Sequence, residues 1–154
     1  MTDGNRIYFI EGSGANYRLA QVSVAGGEVA VINSGTSLPY LSSISSDGSE
    51  LLGTVGAFTP AEEIWAFPVP AGSPRRIGDL IGRSPAWAPD GKIFFGKGNE
   101  IWIAEHDGSF PRKLVTTRGY PAGFQFSPDG IHFRFSVPRQ RKWDSLRPEV
   151  KLHI

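Results

Sequence analysis

Four short stretches of the chain are apolar without interruption, and turn-forming residues flank them. They are Tyr8-Phe9-Ile10, Ile64-Trp65-Ala66-Phe67, Ile93-Phe94-Phe95 and Ile101-Trp102-Ile103-Ala104. A β-strand has this composition when both faces of its sheet are buried, whereas a half-solvated sheet alternates apolar with polar residues. No segment keeps a helical apolar period over more than two turns. The pattern therefore predicts an all-β chain in which antiparallel sheets stack face to face.

A turn-forming pair, Asp-Gly, recurs between these strands at a nearly fixed interval. It occurs at Asp3-Gly4, Asp47-Gly48, Asp90-Gly91 and Asp129-Gly130, which are 44, 43 and 39 residues apart. Asp and Gly suit tight hairpin turns because both accept positive φ. A period near forty residues with about four strands in each repeat is typical of the blades of a β-propeller.

A second and a third recurring feature follow the Asp-Gly pairs in the same order. Glu63-Ile64-Trp65-Ala66 matches Glu100-Ile101-Trp102-Ile103, and each is followed by another turn, at Pro70-Ala71-Gly72-Ser73 and at Asp107-Gly108-Ser109. The sequence thus predicts a partial, open β-propeller of four-stranded antiparallel blades in one segment, 1–154. The predicted blades are blade 1 at about 1–38 without its first strand, blade 2 at about 39–83, blade 3 at about 84–120, and a degenerate blade 4 at about 121–154.

The boundary between blades 2 and 3 is predicted as two separate strands joined by a loop. A short strand from Arg75 to Ile77 ends blade 2, Gly82-Arg83 form the connection, and an apolar strand then leads into the turn at Pro89. Blade 4 loses the pattern after Val137, and its last strand is predicted at 149–154.

Composition restricts the classes of protein without changing this fold. The 154 residues include 19 Gly and 12 Pro, no Cys, and a net charge of +1. The glycine and proline excess fits many tight turns, and the balanced charge gives no field that would steer the chain to nucleic acid or to a membrane surface. No stretch approaches the roughly 18 apolar residues of a membrane span. No apolar run of signal-peptide length follows Met1, which favours a cytoplasmic location, with a periplasmic one as the alternative if residues precede Met1.

Two segments resemble a known repeat. Ala86-Trp87-Ala88-Pro89-Asp90-Gly91 and Phe124-Gln125-Phe126-Ser127-Pro128-Asp129-Gly130 resemble the S-P-D-G core of TolB-like propeller repeats, which are relatives of WD repeats. Ser46 stands where the repeat usually has Pro. The resemblance implies a propeller of usually six or more blades, of which about three and a half would be present here. It also implies a bacterial protein, because such repeats occur in periplasmic TolB, in the propellers of prolyl-oligopeptidase relatives and in bacterial regulators.

The sequence assembles no recognisable reactive site. His106, His132 and His153 are far apart in sequence, and none has a His or carboxylate partner at a metal-binding offset. Gly96-Lys97-Gly98 lacks the length and ending of a phosphate-binding loop, and Gly12-Ser13-Gly14 lacks the G-x-S-x-G spacing of a nucleophile elbow. We therefore predict no catalytic residue, no cofactor site and no metal site, and the repeated aspartates are interpreted as turn residues.

Candidate binding residues lie in the loops that share one rim of a propeller. Loops on a rigid scaffold commonly carry binding, and aromatic and arginine side chains are common in interface hot spots. The candidate interaction rim consists of Phe58, Arg83, Asn99, Arg118 and Tyr120. The basic run Arg139-Gln140-Arg141-Lys142 has only Trp143 as an aromatic neighbour, so it is interpreted as a solvated tail without nucleic-acid contact.

The first hypothesis for function is a non-catalytic protein-interaction, sensor or scaffold module, derived from a larger bacterial signalling or transcriptional-regulator protein. Two alternatives remain open: the gating propeller of a prolyl-oligopeptidase-like serine peptidase without its catalytic domain, and an extracytoplasmic ligand-binding propeller. The expected partners are another protein or the remainder of the parent propeller. Self-association is also expected, because an open arc would leave apolar blade faces at Tyr8-Phe9-Ile10 and near Phe133–Phe135 without neighbours.

Overall fold

The structure, a computed structural model, describes residues 1–13, 16–35, 39–56, 62–127 and 129–137. Every helix or strand within these ranges is a β-strand, so the prediction of an all-β fold is confirmed. No helix in these ranges has the length and apolar character needed to cross a membrane. The strands are β1 (Arg6–Ser13), β2 (Asn16–Ser23), β3 (Ala30–Ile32), β4 (Pro39–Ile44), β5 (Glu50–Val55), β6 (Glu62–Pro68), β7 (Arg75–Trp87), β8 (Ile93–Lys97), β9 (Glu100–Ala104), β10 (Arg112–Thr116), β11 (Ala122–Phe126) and β12 (Phe133–Ser136).

Strands that follow each other in the chain lie side by side and antiparallel. β1-β2-β3 form one sheet, β4 to β10 form a continuous series of seven strands, and β11-β12 form a hairpin. We call β1–β3 unit 1, β4–β6 with the first part of β7 unit 2, the second part of β7 with β8–β10 unit 3, and β11–β12 unit 4. The division of the chain into blades at 38, 83 and 120 stays a prediction, since nothing in the structure tests those limits.

One strand, β7, belongs to both central units. Its first part pairs with β6, ending at the Glu62–Gly82 pair, and its second part pairs with β8, beginning at the Arg83–Gly96 pair. The prediction of two separate strands joined by a Gly82-Arg83 loop was therefore wrong. The pairing partner changes between Gly82 and Arg83, and a Cβ atom at Gly82 would lie 2.6 Å from the Phe95 ring and 2.7 Å from the Gly96 carbonyl oxygen. The apolar pattern of the sequence is interrupted at this position, although the backbone continues as one strand.

Apolar clusters lie between successive units and hold them together. Tyr8 and Leu19 of unit 1 pack with Leu51 and Phe67 of unit 2. Units 2 and 3 share a second cluster that includes Ile64 and Phe95, and units 3 and 4 share a third around Phe124. Each central sheet is thus covered on both faces, which is why its strands have continuous apolar runs.

Of the residues that the sequence predicted on open apolar faces, Tyr8, Ile10 and Phe133 are packed, whereas Phe9 is only partly buried and Phe135 is exposed. The side chains of Tyr8 and Ile10 join the cluster with unit 2, so the face of β1 that points away from it carries Ile7 and Phe9 instead. Phe133 packs against Phe94 and Phe126, with ring centroids 5.0 and 4.8 Å apart. The prediction was wrong for Tyr8, Ile10 and Phe133 because strand alternation decides which face is buried, and a continuous apolar run does not show it.

The Asp-Gly pairs lie in turns, and their carboxylates accept hydrogen bonds within those turns. Asp47 accepts the Ser49 backbone N–H at 3.0 Å and the Ser45 hydroxyl at 2.6 Å. The Ser45 hydroxyl, followed by the N–H and hydroxyl of Ser49, lowers the pKa of Asp47 to about 2. Corresponding backbone hydrogen bonds reach Asp3, Asp90, Asp107 and Asp129. The interpretation of these aspartates as turn residues is confirmed.

Candidate interaction surface

Four of the five predicted rim residues gather at one edge of unit 3. Arg83 lies in β7, Asn99 lies in the turn between β8 and β9, and Arg118 and Tyr120 lie in the loop after β10. The guanidinium carbon of Arg83 is 5.9 Å from the centroid of the Tyr120 ring, within the range of a cation–π contact. The fifth residue, Phe58, lies outside the described residues. Arg83 was expected in a loop and is in a strand, which gives it a fixed backbone position.

The loop that carries Arg118 and Tyr120 is fastened to the β8–β9 turn by Thr117. The backbone N–H of Thr117 donates to the Asn99 carbonyl oxygen at 2.8 Å, and its hydroxyl lies 2.9 Å from that oxygen and 2.6 Å from the Gly119 carbonyl oxygen. The amide of Asn99 in turn donates to the Thr117 carbonyl oxygen at 3.3 Å. Asn99 therefore positions the loop, and its amide is already engaged.

Three positively charged side chains lie at this edge of unit 3. Arg118 is exposed, Arg83 contacts Tyr120, and the Lys97 ammonium lies 5.1 Å from the centroid of the Trp102 ring. In the part of the chain that the structure describes, none of the three forms an ion pair. We call Arg83, Lys97, Asn99, Arg118 and Tyr120 the cationic edge. Sequence analysis did not select Lys97, although its position in a Gly-Lys-Gly turn indicated an exposed charge.

The acidic residue nearest in sequence, Glu100, is occupied by other partners. Its carboxylate accepts the Trp102 indole N–H at 2.9 Å and the Lys113 ammonium at 3.1 Å. These two donors, the indole first, lower the pKa of Glu100 below its usual value. Glu100 therefore forms its salt bridge with Lys113, and Lys97 contributes only a weaker electrostatic interaction with it.

The same arrangement occurs in unit 2 and explains why the Glu-Ile-Trp pattern recurs. The Trp65 indole N–H donates to Glu63 at 3.1 Å, and Arg76 forms an ion pair with Glu63 at 3.4 Å. Arg76 lies opposite Trp65 on the neighbouring strand, as Lys113 lies opposite Trp102 in unit 3. The tryptophans of the pattern are thus partly buried structural residues, as the sequence indicated.

A cleft of about 720 Å³ lies along the first strands of units 2, 3 and 4. β4, the end of β7 and β11 contribute its walls, together with residues 1–5. Two buried polar atoms near its walls, the Ser42 hydroxyl oxygen and the Trp87 indole nitrogen, have no hydrogen-bond partner in the described structure. We call this space the inner-strand cleft. Buried polar atoms are usually satisfied, so these two are exceptions, but neither atom is accessible from the cleft.

Ionisable side chains are dispersed over the described residues. His106 and His132 are exposed, and no group of three His, Asp or Glu side chains in these ranges is arranged to hold a metal ion. His153 and the basic run 139–142 lie outside the described residues, as does the strand predicted at 149–154.

Comparison with known proteins identifies the fold. No protein-family model and no curated protein matches the sequence. Among solved structures, a protein described as TolB from Agrobacterium tumefaciens superposes with a TM-score of 0.77 and 18% identity, over 92% of this chain and 53% of its own. TolB from Acinetobacter baumannii matches with a TM-score of 0.69 and 16% identity, over 91% of this chain and 37% of its own.

An enzyme is also among the similar structures. The gluconolactonase XC5397 from Xanthomonas campestris matches with a TM-score of 0.68 and 15% identity, over 88% of this chain and 52% of its own. The chain thus spans about half or less of the length of these three proteins. The likeness extends over nearly all of this chain, which confirms the prediction of a partial propeller built from antiparallel blades. Units 1 to 4 form an arc with the fold of a TolB-like β-propeller.

Proposed function

We propose that this arc is a non-catalytic protein-interaction module that binds an acidic segment of a partner protein at the cationic edge. The observation that carries the proposal is the group of three cations, Arg83, Lys97 and Arg118, beside an exposed aromatic ring on a fastened loop. The module derives, in this proposal, from a larger bacterial signalling or regulatory protein, which fits a chain that spans about half of the similar structures.

The chemistry of the cationic edge suits carboxylates on an extended segment. Guanidinium groups form bidentate hydrogen bonds with carboxylates, and their planes also stack on aromatic rings. Tyr120 offers a large surface with few rotatable bonds, so its ordering costs little entropy on binding. The loop is already held by Thr117 and Asn99, which reduces the conformational cost of binding further.

A direct test uses three fluorescein-labelled decapeptides of acidic, neutral and basic composition, titrated with the protein in fluorescence anisotropy. The acidic peptide should bind most tightly, and its affinity should fall as salt rises, because exposed charges are screened. Arg83→Ala and Arg118→Ala should each weaken binding about fivefold to tenfold, in the range of interface truncations.

Arg18→Ala is the matched control, since Arg18 is exposed but is already paired with Glu11 at 2.8 Å in unit 1. This variant should bind the acidic peptide as the wild type does. Equal affinity for all three peptides, or an equal loss in Arg18→Ala and Arg83→Ala, would refute the assignment of the cationic edge.

A further inference from the structure

The second part of β7 contains one extra residue where it pairs with β8. Arg83 pairs with Gly96, and Ala86 pairs with Phe94. Between these two pairs β7 advances by three residues while β8 advances by two, so β7 forms a β-bulge at Ser84 and Pro85. Such bulges redirect side chains and are common beside functional sites. This one directly follows an arginine of the cationic edge.

The bulge decides the face of the sheet on which the Arg83 side chain lies. In a regular strand, side chains alternate between the two faces, so residues three apart lie on opposite faces. Arg83 and Ala86 are three apart, yet their partners on β8 are two apart, which places both on one face. Ala86 packs with Phe124 in the cluster between units 3 and 4, so this face is directed to unit 4. Without the bulge, Arg83 would lie on the opposite face.

The loop that carries Tyr120 passes over the same face. A Cβ atom at Gly96 would lie 2.8 Å from the Pro121 carbonyl oxygen. Gly96 is the cross-strand partner of Arg83, and paired residues direct their Cβ atoms to one face. The loop and the Arg83 side chain are therefore neighbours, which explains the 5.9 Å between the guanidinium carbon and the centroid of the Tyr120 ring.

The backbone conformation at the bulge is unusual for the residue that occupies it. Ser84 has a φ of 48°, in the left-handed region that residues other than glycine seldom adopt. Pro85 follows it and is fully buried, so the far side of the bulge is fixed by packing. The direction of Arg83 thus depends on Ser84 remaining left-handed.

Unit 4 contains the same bulge with different residues. The pairs Ala122–Ser136 and Gln125–Arg134 enclose one extra residue, and Gly123, with a φ of 65°, takes the place of Ser84. The residue in the place of Arg83 is the uncharged Ala122. Of these two bulges, only the one in unit 3 therefore directs a charged side chain.

We propose that Ser84 is a positioning residue of the cationic edge: its left-handed backbone turns Arg83 to the face that carries Tyr120 and so presents the guanidinium to a carboxylate of the acidic segment. The role in binding rests on the function proposed above, whereas the direction of Arg83 does not. A guanidinium already held beside the ring loses less conformational freedom on binding. The proposal concerns the backbone of Ser84, and its hydroxyl takes no part.

Four substitutions at Ser84 separate backbone conformation from side-chain size and polarity. Gly and Asn accept the left-handed region, Ala accepts it less readily, and the β-branched Val least. Affinity for the acidic decapeptide should stay within about twofold of wild type in Ser84→Gly and Ser84→Asn, and should fall about fivefold in Ser84→Val. Ser84→Ala should lie between them, and it provides the comparison if Ser84→Val does not fold. This order follows neither side-chain size nor hydrogen bonding, because Asn is larger than Ala and Gly has no side chain.

A double substitution shows whether Ser84 acts through Arg83. Arg83→Ala combined with Ser84→Val should bind the acidic peptide as weakly as Arg83→Ala alone, because no guanidinium remains to be misdirected. Ile32→Ala is the control for a general loss of stability, since it removes a buried side chain in unit 1. This variant should bind the peptide as the wild type does.

NMR of the free protein measures the direction of Arg83 without any ligand. Nuclear Overhauser effects between the Arg83 side chain and the Tyr120 ring should be present in the wild type, Ser84→Gly and Ser84→Asn. They should be lost in Ser84→Val, and Ile32→Ala should retain them.

Three outcomes would overturn the inference. They are retention of the Arg83–Tyr120 effects in Ser84→Val, an equal loss of affinity in Ser84→Gly and Ser84→Val, and additive losses in the double substitution. If the wild type does not bind the acidic peptide, the proposed function fails instead, and the NMR contacts alone decide whether the bulge directs Arg83.

Discussion

Within the described residues, units 1 and 4 each have one face without a neighbour, and these two faces differ in chemistry. In unit 1, Ile7 and Val31 lie on the outward face and are 43% and 53% exposed. In unit 4, the outward face carries Gln125 and Arg134, which are exposed and hydrogen-bonded to each other. The inward faces of both units, in contrast, are apolar and packed.

This difference teaches that a continuous apolar strand and an open blade face are separate properties. Both ends belong to the same kind of blade, yet only unit 1 presents an apolar outward surface of the sort that other surfaces cover. Unit 4 presents a polar surface that water can solvate. We therefore expect association of the arc to proceed through unit 1 and the four aromatic residues of unit 4 to serve internal packing.

Substitutions on the inward faces, which are apolar in both end units, should have the largest effects on the free energy of unfolding. Leu19→Ala in unit 1 and Phe124→Ala in unit 4 each remove a buried side chain, and each should lower the free energy of unfolding by about 3–5 kcal/mol. Urea titration followed by tryptophan fluorescence measures the loss. A loss below about 1 kcal/mol at either position would show that this end is not packed as described.

The stability of the fold should be nearly as sensitive to substitution at Gly82 of β7, where the neighbouring strand leaves no room for a side chain. Gly82→Ala places a methyl group against the Phe95 ring and the Gly96 carbonyl oxygen. We expect a loss of about 1–3 kcal/mol, as for overpacked core positions. Gly98→Ala is the comparison, since a Cβ there meets no atom within 4 Å and only its φ of 59° is unfavourable. Equal stability of Gly82→Ala and the wild type would contradict the close approach of Phe95 and Gly96 to Gly82.

Substitutions on the outward faces should change self-association more than they change the free energy of unfolding. Ile7→Lys together with Val31→Lys should weaken self-association at least tenfold in sedimentation velocity, while changing the free energy of unfolding by about 0.5 kcal/mol or less for each substitution. Arg134→Leu should have the opposite effect by making the outward face of unit 4 apolar. If the lysine variants associate as the wild type does, unit 1 is not the associating end.

The smallest expected effect on stability comes from the aspartates of the Asp-Gly turns, which are present in both end units. The hydroxyl of Ser45 and the groups of Ser49 hold the pKa of Asp47 at about 2, below its ordinary value of 3.8. A lowered folded-state pKa stabilises the fold above pH 3.8, and this contribution disappears as pH falls from there to about 2. Asp47→Asn should therefore have a flatter dependence of the urea midpoint on pH between about 5 and 2. Identical slopes in the two proteins would contradict the lowered pKa.

The strands and turns could be predicted closely from sequence because local chemistry specifies them. The apolar runs Ile64–Phe67 and Ile101–Ala104 lie in β6 and β9 as predicted, and each Asp-Gly pair lies in its turn. The cationic edge was predicted in part, since Arg118 and Tyr120 lie in a loop and loop side chains are usually exposed. Its assembly was not predictable, because the contact of Arg83 with Tyr120 joins residues from two different elements.

By itself, the sequence determined an all-β chain of repeated antiparallel sheets, because its apolar runs and turn pairs act over distances of a few residues. Only the tertiary structure decided that β7 is shared and that Tyr8 and Phe133 face inward. These features depend on which strand lies beside which and on the face that each buries. A continuous apolar strand is compatible with either choice, and the decision comes from packing between units.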